Sequence, residues 1–398
     1  MVAHAHTDMN PRLLLFILIF ASSVAWMSSD LYAPSLAHLP AYFGTSAAMV
    51  KLTMALNILA YALATVAYGP LSERYGRRPV LLYGMVLFTG ATLLCAAATA
   101  IGMLIAARII QGLGAAVEGV VILAIIRDSF EEAMQIRAMA VYGMASALTP
   151  AVAPILGGYI YIYFGWRMNF LVLGVAALLA TLLLHRYLQE SGRPDRAAGR
   201  IGEALRNYGA LLRNRGFLAY SLIGGSTMGF FFAFVTAGPF ILINEYGLPI
   251  RYFGYFQALA VICYVAGSML AGRLAGSLPG ARIMAIGVAT AVVGGIFLIV
   301  IVFGGMETPA TLAVALALIA FGDGPVFATT PSLAMDRSDS GTGASAGALV
   351  AMEMAISSLA SFGVSVHHDG SSGPLAITAG FLCTAMAAGM LLQRGERD

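Results

Sequence analysis

An arginine-rich turn between two long apolar runs is the feature that most constrains this chain. The turn covers residues 69–79, GPLSERYGRRP, and carries three arginines and one acid. Before it, residues 50–68 contain a single charge, Lys51, and after it residues 80–107 contain none. Apolar runs of about 20 residues are long enough to cross a bilayer as helices. Because Lys and Arg resist translocation, we expect the turn to stay in the cytoplasm and to orient the neighbouring spans.

Composition indicates a helical membrane protein. Of the 398 residues, 60% are hydrophobic and 10% are charged, whereas soluble proteins carry about 25% charged residues. Backbone that faces lipid must be paired within helices or closed barrels, and the runs here are too long and continuous for barrel strands. The three cysteines (Cys95, Cys263 and Cys383) fall inside apolar runs, so we expect neither a disulfide nor a metal site. No nucleotide or catalytic motif is apparent, so we expect no cofactor, no nucleic-acid partner and no enzymatic activity.

Twelve apolar runs predict an all-α polytopic membrane protein with twelve transmembrane helices in two pseudo-symmetric six-helix bundles. The predicted spans begin near Leu13, Ala48, Pro79, Ile101, Arg137, Arg167, Gly216, Tyr252, Arg282, Pro309, Gly341 and Ser371. The longest polar break predicts an N-terminal bundle over 1–188, a cytoplasmic linker over 189–215 and a C-terminal bundle over 216–398. Residues 203–212 of that linker are expected to form an amphipathic helix on the inner surface. A degenerate copy of the arginine-rich turn at residues 272–282 indicates that the two bundles are parallel repeats of one unit.

The distribution of basic residues predicts that both termini are cytoplasmic. With the N-terminus inside, all but four of the 22 Lys and Arg residues fall in cytoplasmic segments. Lys51, Arg167 and Arg251 lie outside, and Arg108 lies within a span. This is the bias that the positive-inside rule describes.

Charges within the predicted spans are the first candidates for function, because each costs about 2.5–3.5 kcal/mol on insertion scales. They are Asp30, Arg108, Glu118, Asp323 and Glu353. Asp30 and Arg108 are expected at similar depth, so an ion pair between them is predicted, with a structural role and a role in proton coupling both open.

The other three acids, Glu118, Asp323 and Glu353, have no obvious basic partner. Burial favours the neutral form of a carboxyl group, and an acid that is protonated in one conformation and hydrated in another can couple protons to transport. The alternative is a neutral acid that is hydrogen-bonded within the core. Asp323 lies in Gly322-Asp-Gly-Pro325, where a helix break is predicted and an acid could also serve as a cap.

Polar and aromatic residues in the spans could line a substrate cavity, although helix packing is the alternative for each. They are Ser22, Trp26, Asn57, Tyr61, Gln111, Phe231, Phe234, Gln257 and Tyr264. Span 5 carries Pro150, Pro154, Gly157 and Gly158, which predict a kink and close approach of a neighbouring helix.

Several motifs together resemble those of the major facilitator superfamily. The pattern after span 2 is Gly69-x-Leu71-x-Glu73-Arg74-x-Gly76-Arg77-Arg78, with Glu where the family usually has Asp. Span 4 carries Arg108-x-x-Gln111-Gly112-x-Gly114-Ala115-Ala116, and the prolines and glycines of span 5 resemble the antiporter branch. With Asp30-x-Tyr32-x-Pro34 and residues 129–133 (SFEEA), the likeness is strongest to 12-span drug/proton antiporters of the bicyclomycin/chloramphenicol-resistance and MdfA types.

This resemblance implies roles for the matching residues. The segment from Gly69 through Glu73, Arg74, Gly76, Arg77 and Arg78 would latch the cytoplasmic helix ends and set the conformational equilibrium. Arg108 with Asp30 would take part in proton coupling, and the span-5 motif would mark an exporter. The protein would work in the bacterial inner membrane on the proton gradient, with a small-molecule substrate and the lipid bilayer as partners, and a monomer is the default.

One departure from the family pattern bears on the substrate. Multidrug members of this group often carry an acid two turns before Asp30, where this chain has Ser22. That disfavours lipophilic cations and favours neutral or zwitterionic compounds. The sequence therefore predicts proton-coupled efflux by alternating access, with a dedicated exporter or facilitator of an endogenous metabolite or siderophore as the alternative. A membrane enzyme or receptor would need a catalytic constellation or a large soluble module, and neither is visible.

Overall fold

The computed structural model describes residues 10–192, 201–337, 342–366 and 371–394. Within these ranges, twelve helices are long and apolar enough to cross a membrane, which confirms the predicted fold class. They are α1 (Pro11–Phe43), α2 (Ala47–Tyr75), α3 (Arg77–Ala96), α4 (Ile101–Ser129), α5 (Met134–Phe164), α6 (Trp166–Tyr187), α7 (Arg215–Glu245), α8 (Arg251–Leu274), α9 (Gly280–Phe303), α10 (Pro309–Met335), α11 (Ser345–Val366) and α12 (Gly373–Gln393).

Three spanning segments contain a change of helical geometry. A 3₁₀ segment, Ala33–His38, lies near the end of α1. Wider π-helical segments occupy Glu118–Ile122 in α4 and Phe240–Glu245 at the end of α7. Such π-helical turns are rare in proteins, and those that occur are often found at functional sites.

The predicted linker contains a helix, Ile201–Arg213, as its amphipathic pattern indicates. Residues 193–200 of the linker lie outside the described residues, as do the ends of the chain at 1–9 and 395–398. The proposed domain boundaries therefore stay a prediction.

The turn at 69–79 is shorter than predicted. Helix α2 continues through Pro70 to Tyr75, and α3 begins at Arg77, so only Gly76 interrupts the helices. Gly76 has φ of 100°, a conformation that only glycine adopts without strain. The arginines therefore project from two helix ends that meet at this glycine.

The predicted helix break at residues 322–325 is wrong. Helix α10 runs without interruption from Pro309 to Met335. The glycines serve packing instead, because a Cβ on Gly322 would lie 2.4 Å from the backbone nitrogen of Ala291, and one on Gly324 would lie 2.4 Å from the carbonyl oxygen of Tyr264. Neighbouring helices hold α10 in one piece despite Pro325 and Pro331, as is common inside a membrane.

The two six-helix halves meet along α2 with α11 and along α5 with α8. We call the end that carries Arg74, Arg77 and Arg78 the arginine-rich end, and the other the opposite end. Five hydrogen bonds between described residues join the halves, and all five lie toward the opposite end. They are Lys51 Nζ to Val364 O (3.0 Å), Ser358 Oγ to Ala55 O (2.9 Å), Asn244 Nδ2 to Ala37 O (3.1 Å), Gln257 Nε2 to Asp30 Oδ1 (2.8 Å), and the pair of hydroxyls of Tyr159 and Tyr255 (2.9 Å).

Candidate functional site: a carboxylate-lined cavity between the halves

A cavity lies near the middle of the helices, between the two halves. Residues of α1, α2 and α4 line it on one side, and Phe232 of α7 and Met354 of α11 line it on the other. The lining from the N-terminal half is Ala25, Trp26, Ser28, Ser29, Asp30, Asn57, Ile58, Tyr61, Ala115 and Glu118. Two carboxylates from different helices therefore face one small and largely apolar cavity.

Glu118 is 1% exposed and accepts hydrogen bonds from three hydroxyls. Ser22 Oγ and Tyr142 Oη (3.2 Å) both donate to Oε2, and Tyr61 Oη donates to Oε1 at 3.4 Å. Glu118 is also the first residue of the π-helical turn in α4. Although α1 has a serine at position 22 where related proteins often have an acid, Glu118 of α4 places a carboxylate next to it.

Asp30 lies at the far end of the same cavity and is 2% exposed. Its carboxylate accepts a hydrogen bond from Nε2 of Gln257, which belongs to the C-terminal half. Asp30 thus connects the cavity directly to the other half of the protein.

Arg108 is completely buried, and its polar contacts are with groups other than the Asp30 carboxylate. Its guanidinium donates to the carbonyl oxygen of Ser28 at 2.9 Å and to Oε1 of Gln111, and it lies 4.9 Å from the ring centroid of Tyr32. The predicted ion pair with Asp30 is absent among the described residues. A carbonyl, an amide and an aromatic ring instead surround a cation that is within electrostatic range of Asp30.

The C-terminal acids are arranged differently. Asp323 and Glu353 are 8% and 6% exposed, and no hydrogen bond to either carboxyl group is formed within the described part of the chain. Glu353 lies against α7, where a Cβ on Gly224 would come within 2.5 Å of its Oε1. Tyr264 lies within electrostatic range of both acids and packs on the ring of Phe327 at 6.0 Å.

The predicted cavity residues divide into four groups. Trp26, Asn57 and Tyr61 line the cavity, while Ser22 and Gln257 contact its carboxylates. Phe231 packs beside it in an apolar cluster with Trp26 and Tyr61. Three lie elsewhere: Gln111, Phe234 and Tyr264. Gln111 donates to Thr92 of α3 at 2.8 Å, and Phe234 stacks on Phe253 at 5.8 Å.

Two acids that the sequence did not single out hold the arginine-rich end. Arg77 Nε forms an ion pair with Asp128 Oδ2 at 3.2 Å. The Glu190 carboxylate accepts from the backbone nitrogens of Arg77 (2.8 Å) and Arg78 (3.2 Å), where the N-terminus of α3 favours an anion. Glu190 also fills the space at Gly76, because a Cβ there would lie 2.4 Å from its Oε2.

Glu73, which the resemblance places in the latch, forms no ion pair among the described residues. It is exposed and faces the linker helix, where burial together with the Glu73 carboxylate raises the pKa of Tyr208. The acids that contact Arg77 and Arg78 are therefore Asp128, at the end of α4, and Glu190, in the segment after α6.

The glycines of α5 allow the close approach that the sequence predicts. A Cβ on Gly157 would lie 1.7 Å from the carbonyl oxygen of Leu31, so α1 packs directly on the α5 backbone. Around Gly158 the nearest atoms belong to Ile250 and Arg251 and lie 3.7 Å away. Helix α5 remains continuous through Pro150 and Pro154.

Sequence reasoning missed three functional candidates: Tyr142, Asp128 and Glu190. Each meets its partner only through the fold, as with Glu190 and Arg77, which are 113 positions apart. Weak signals exist for two of them, because Asp128 ends span 4 beside Arg127 and Glu190 is the first acid after span 6.

Comparison with known proteins agrees with this architecture. The sequence model of the family described as Major Facilitator Superfamily matches residues 18–364 of this chain. Multidrug resistance protein D of Escherichia coli is 30% identical over 81% of both chains. A bicyclomycin resistance protein homolog of Haemophilus influenzae is 28% identical over 73% of this chain and 74% of its own. A bacterial homolog of the human lysosomal transporter Spinster, solved in an inward-facing and unoccupied conformation, superposes with a TM-score of 0.76 at 15% identity, over 97% of this chain and 98% of that one. The chain belongs to the major facilitator superfamily, in the branch of the drug/proton antiporters.

Proposed function

We propose that this protein is a proton-coupled exporter of small molecules in the bacterial inner membrane that works by alternating access. The observation that carries the proposal is the pair of buried carboxylates, Asp30 and Glu118, on one cavity between two halves that are joined at one end. Relatives named for multidrug and bicyclomycin resistance support export as the direction of transport.

In this proposal the arginine-rich end faces the cytoplasm, since Lys and Arg favour that side. The opposite end then faces the periplasm and is closed in this conformation. The export cycle requires the hydrogen bonds at the opposite end to break, so that the cavity opens outward and releases its substrate.

Protons from outside would neutralise the cavity acids, and substrate entering from the cytoplasm would displace them. Glu118 is the first candidate, because Ser22, Tyr61 and Tyr142 can follow a change in its charge by rotating their hydroxyl groups. Asp30 is the second, because it lines the same cavity and its carboxylate contacts Gln257 of the other half. Asp323 and Glu353 stay secondary candidates, since neither lines the cavity.

The cavity also suggests a substrate class. Trp26, Tyr61 and Phe232 offer aromatic surface, while the carboxylates favour a positive charge or hydrogen-bond donors. A flat, partly apolar compound with a donor or cationic group fits this set. Ser22 no longer disfavours cations in this proposal, because the Glu118 carboxylate lies beside it.

The test is substrate-induced proton release by the purified protein in detergent. Wild type is compared with Asp30→Asn and Glu118→Gln, and Asp323→Asn and Glu353→Gln serve as matched controls from the other half. The ligand panel contains one cationic, one neutral and one zwitterionic compound, each with binding measured separately. We expect release from wild type and from both controls, and its loss in at least one cavity variant. A ligand that binds without releasing protons, together with export that persists in the presence of a protonophore, would contradict antiport and indicate a facilitator.

A further inference from the structure

Gln257 forms an incomplete contact with Asp30. Its Nε2 donates to Asp30 Oδ1 at 2.8 Å, but its carbonyl oxygen Oε1 is buried and has no hydrogen-bond partner among the described residues. Gln257 is 1% exposed, so water does not satisfy this oxygen at the surface. A buried carbonyl without a partner is costly, and in a native protein it calls for an explanation.

The missing partner is a proton on Asp30. An ionised carboxylate only accepts hydrogen bonds, whereas a protonated carboxyl group has one O–H to donate. The amide nitrogen and oxygen of Gln257 are bonded to the same carbon, so Oε1 lies next to the carboxyl group that Nε2 already contacts. A protonated Asp30 can therefore donate to Oε1 while it accepts from Nε2, and the two groups then form a closed pair with two hydrogen bonds.

We propose that Gln257 senses the protonation state of Asp30 and links the two halves at the opposite end when Asp30 is protonated. This inference rests on the proposed proton-coupled function and names the residue that converts proton binding into closure. Proton binding adds a second hydrogen bond between α1 and α8 and satisfies the orphaned carbonyl. Loss of the proton removes that bond and favours separation of the halves, which opens the cavity on the side from which protons arrive.

Among the described residues, Glu118 of α4 and Tyr61 of α2 are the other ionisable groups that line this cavity, and Arg108 of α4 is the nearby cation. Arg108 forms no ion pair with Asp30 among the described residues, so it does not replace Gln257 as the partner of this carboxyl group. These residues are left unchanged in the test, so that only the contact between Asp30 and Gln257 is altered.

The test measures the distance between spin labels at the opposite end by pulsed electron paramagnetic resonance. Labels are attached at Thr99→Cys, between α3 and α4, and at Met306→Cys, between α9 and α10, because both positions are exposed. The three native cysteines are replaced by alanine in all samples. In the otherwise wild-type protein, we expect the short-distance population to be larger at acidic than at alkaline pH.

Three variants examine the pair. Gln257→Ala is expected to abolish the pH response. Asp30→Asn is expected to hold the short distance at both pH values, because the asparagine amide can donate to Oε1 and accept from Nε2. Combining Asp30→Asn with Gln257→Ala should remove that effect. Asn244→Ala is the control, because it removes another bond between the halves, to Ala37 O, without touching an ionisable group. It should shift the populations at both pH values and keep the response.

A Gln257→Ala protein that responds to pH like wild type would overturn the inference, and so would a wild type that does not respond. Substrate-induced proton release from the same wild-type sample separates this failure from failure of the proposed function. Release without dependence on Gln257 contradicts only the sensing role, whereas absence of release contradicts the antiport itself.

Discussion

The two halves repeat the same six-helix arrangement but hold buried charge in different ways. In the N-terminal half, Glu118 accepts from three hydroxyls and Arg108 donates to a carbonyl and an amide. In the C-terminal half, Asp323 and Glu353 lie buried without a hydrogen bond to their carboxyl groups from any described residue. A buried charge is stable only when it is paired or hydrogen-bonded. The N-terminal half thus supplies hydrogen-bond partners for its buried ionisable groups, whereas the described part of the C-terminal half supplies none for its two buried acids.

The arginine-rich end repeats this difference. In the N-terminal half, Arg77 pairs with Asp128 and the start of α3 is capped by Glu190. In the copy at 272–282, Arg273 and Arg282 form no ion pair with any described residue. Both halves have kept their helices, while the ion pairs and hydrogen bonds of the turn are found in the N-terminal half among the described residues.

The largest expected effect comes from neutralising one acid on each of two equivalent helices, Glu118 on α4 and Asp323 on α10. Glu118→Gln removes the charge that three hydroxyls hold, and hydrogen bonds to charged groups contribute about 1.5–3 kcal/mol, a factor of about 10 to 150. We expect substrate-induced proton release to fall by at least tenfold. Asp323→Asn is expected to change it by less than about twofold, because no such contact is lost. Equal losses in both variants would contradict the asymmetry between the halves.

The next effect concerns packing on α5 and on its counterpart, α11. In Gly157→Ala the new methyl group would meet the backbone oxygen of Leu31 at 1.7 Å, so α1 must move, and overpacking of this kind costs about 1–3 kcal/mol. In Gly363→Ala the nearest atom is the Thr378 hydroxyl oxygen at 3.2 Å, which a rotation of the threonine side chain relieves. Thermal unfolding in detergent should show a clear loss of Tm for Gly157→Ala and a small change for Gly363→Ala. A Gly157→Ala protein as stable as wild type would show that α1 and α5 separate without cost.

A third test compares the arginines of the two copies of the turn. Arg77→Ala removes the closer of the two ion pairs of Asp128, at 3.2 Å, and leaves Asp128 with Arg127 at 3.8 Å. Arg282→Ala removes no ion pair to any described residue. Partly exposed pairs contribute about 0.2–1 kcal/mol, so the expected change is a shift in conformational populations rather than unfolding. Spin labels at the opposite end should report this shift for Arg77→Ala only. The Asp128→Asn protein should behave like Arg77→Ala, with Arg127→Ala as the control for the second ion pair of Asp128. A difference between Asp128→Asn and Arg77→Ala that Arg127→Ala does not reproduce would assign the effect to another contact of Arg77.

The sequence could predict the helices because a bilayer imposes a length and a composition on every span. It could also predict that Asp30, Arg108 and Glu118 are buried, since they stand out in apolar runs, but it placed Lys51 outside, where the structure buries it against Val364 of the other half. It could not predict their partners, because contacts such as Gln257 with Asp30 depend on how two helices 227 positions apart are rotated. Local signals misled at Gly322-Asp-Gly-Pro325, where helix packing overrides the breaking tendency of glycine and proline. The same limit applies to the arginine-rich turn, where motif matching points to Glu73 while Asp128 and Glu190 hold the arginines.

The smallest expected effect involves the tyrosines of α2 and α8, which face the acids of their own halves. The hydroxyl of Tyr61 donates to Glu118 at 3.4 Å, a long hydrogen bond, and two other hydroxyls contact the same carboxylate. Tyr61→Phe should therefore lower proton release by only about twofold, as expected for about 0.5 kcal/mol. Tyr264 makes no hydrogen bond to Asp323 or Glu353 within the described chain, so Tyr264→Phe should leave proton release unchanged. Initial rates of proton release at saturating ligand resolve such a difference. If Tyr264→Phe had the larger effect, the C-terminal acids would take part in the proton pathway, and the functional difference between the halves would be reversed.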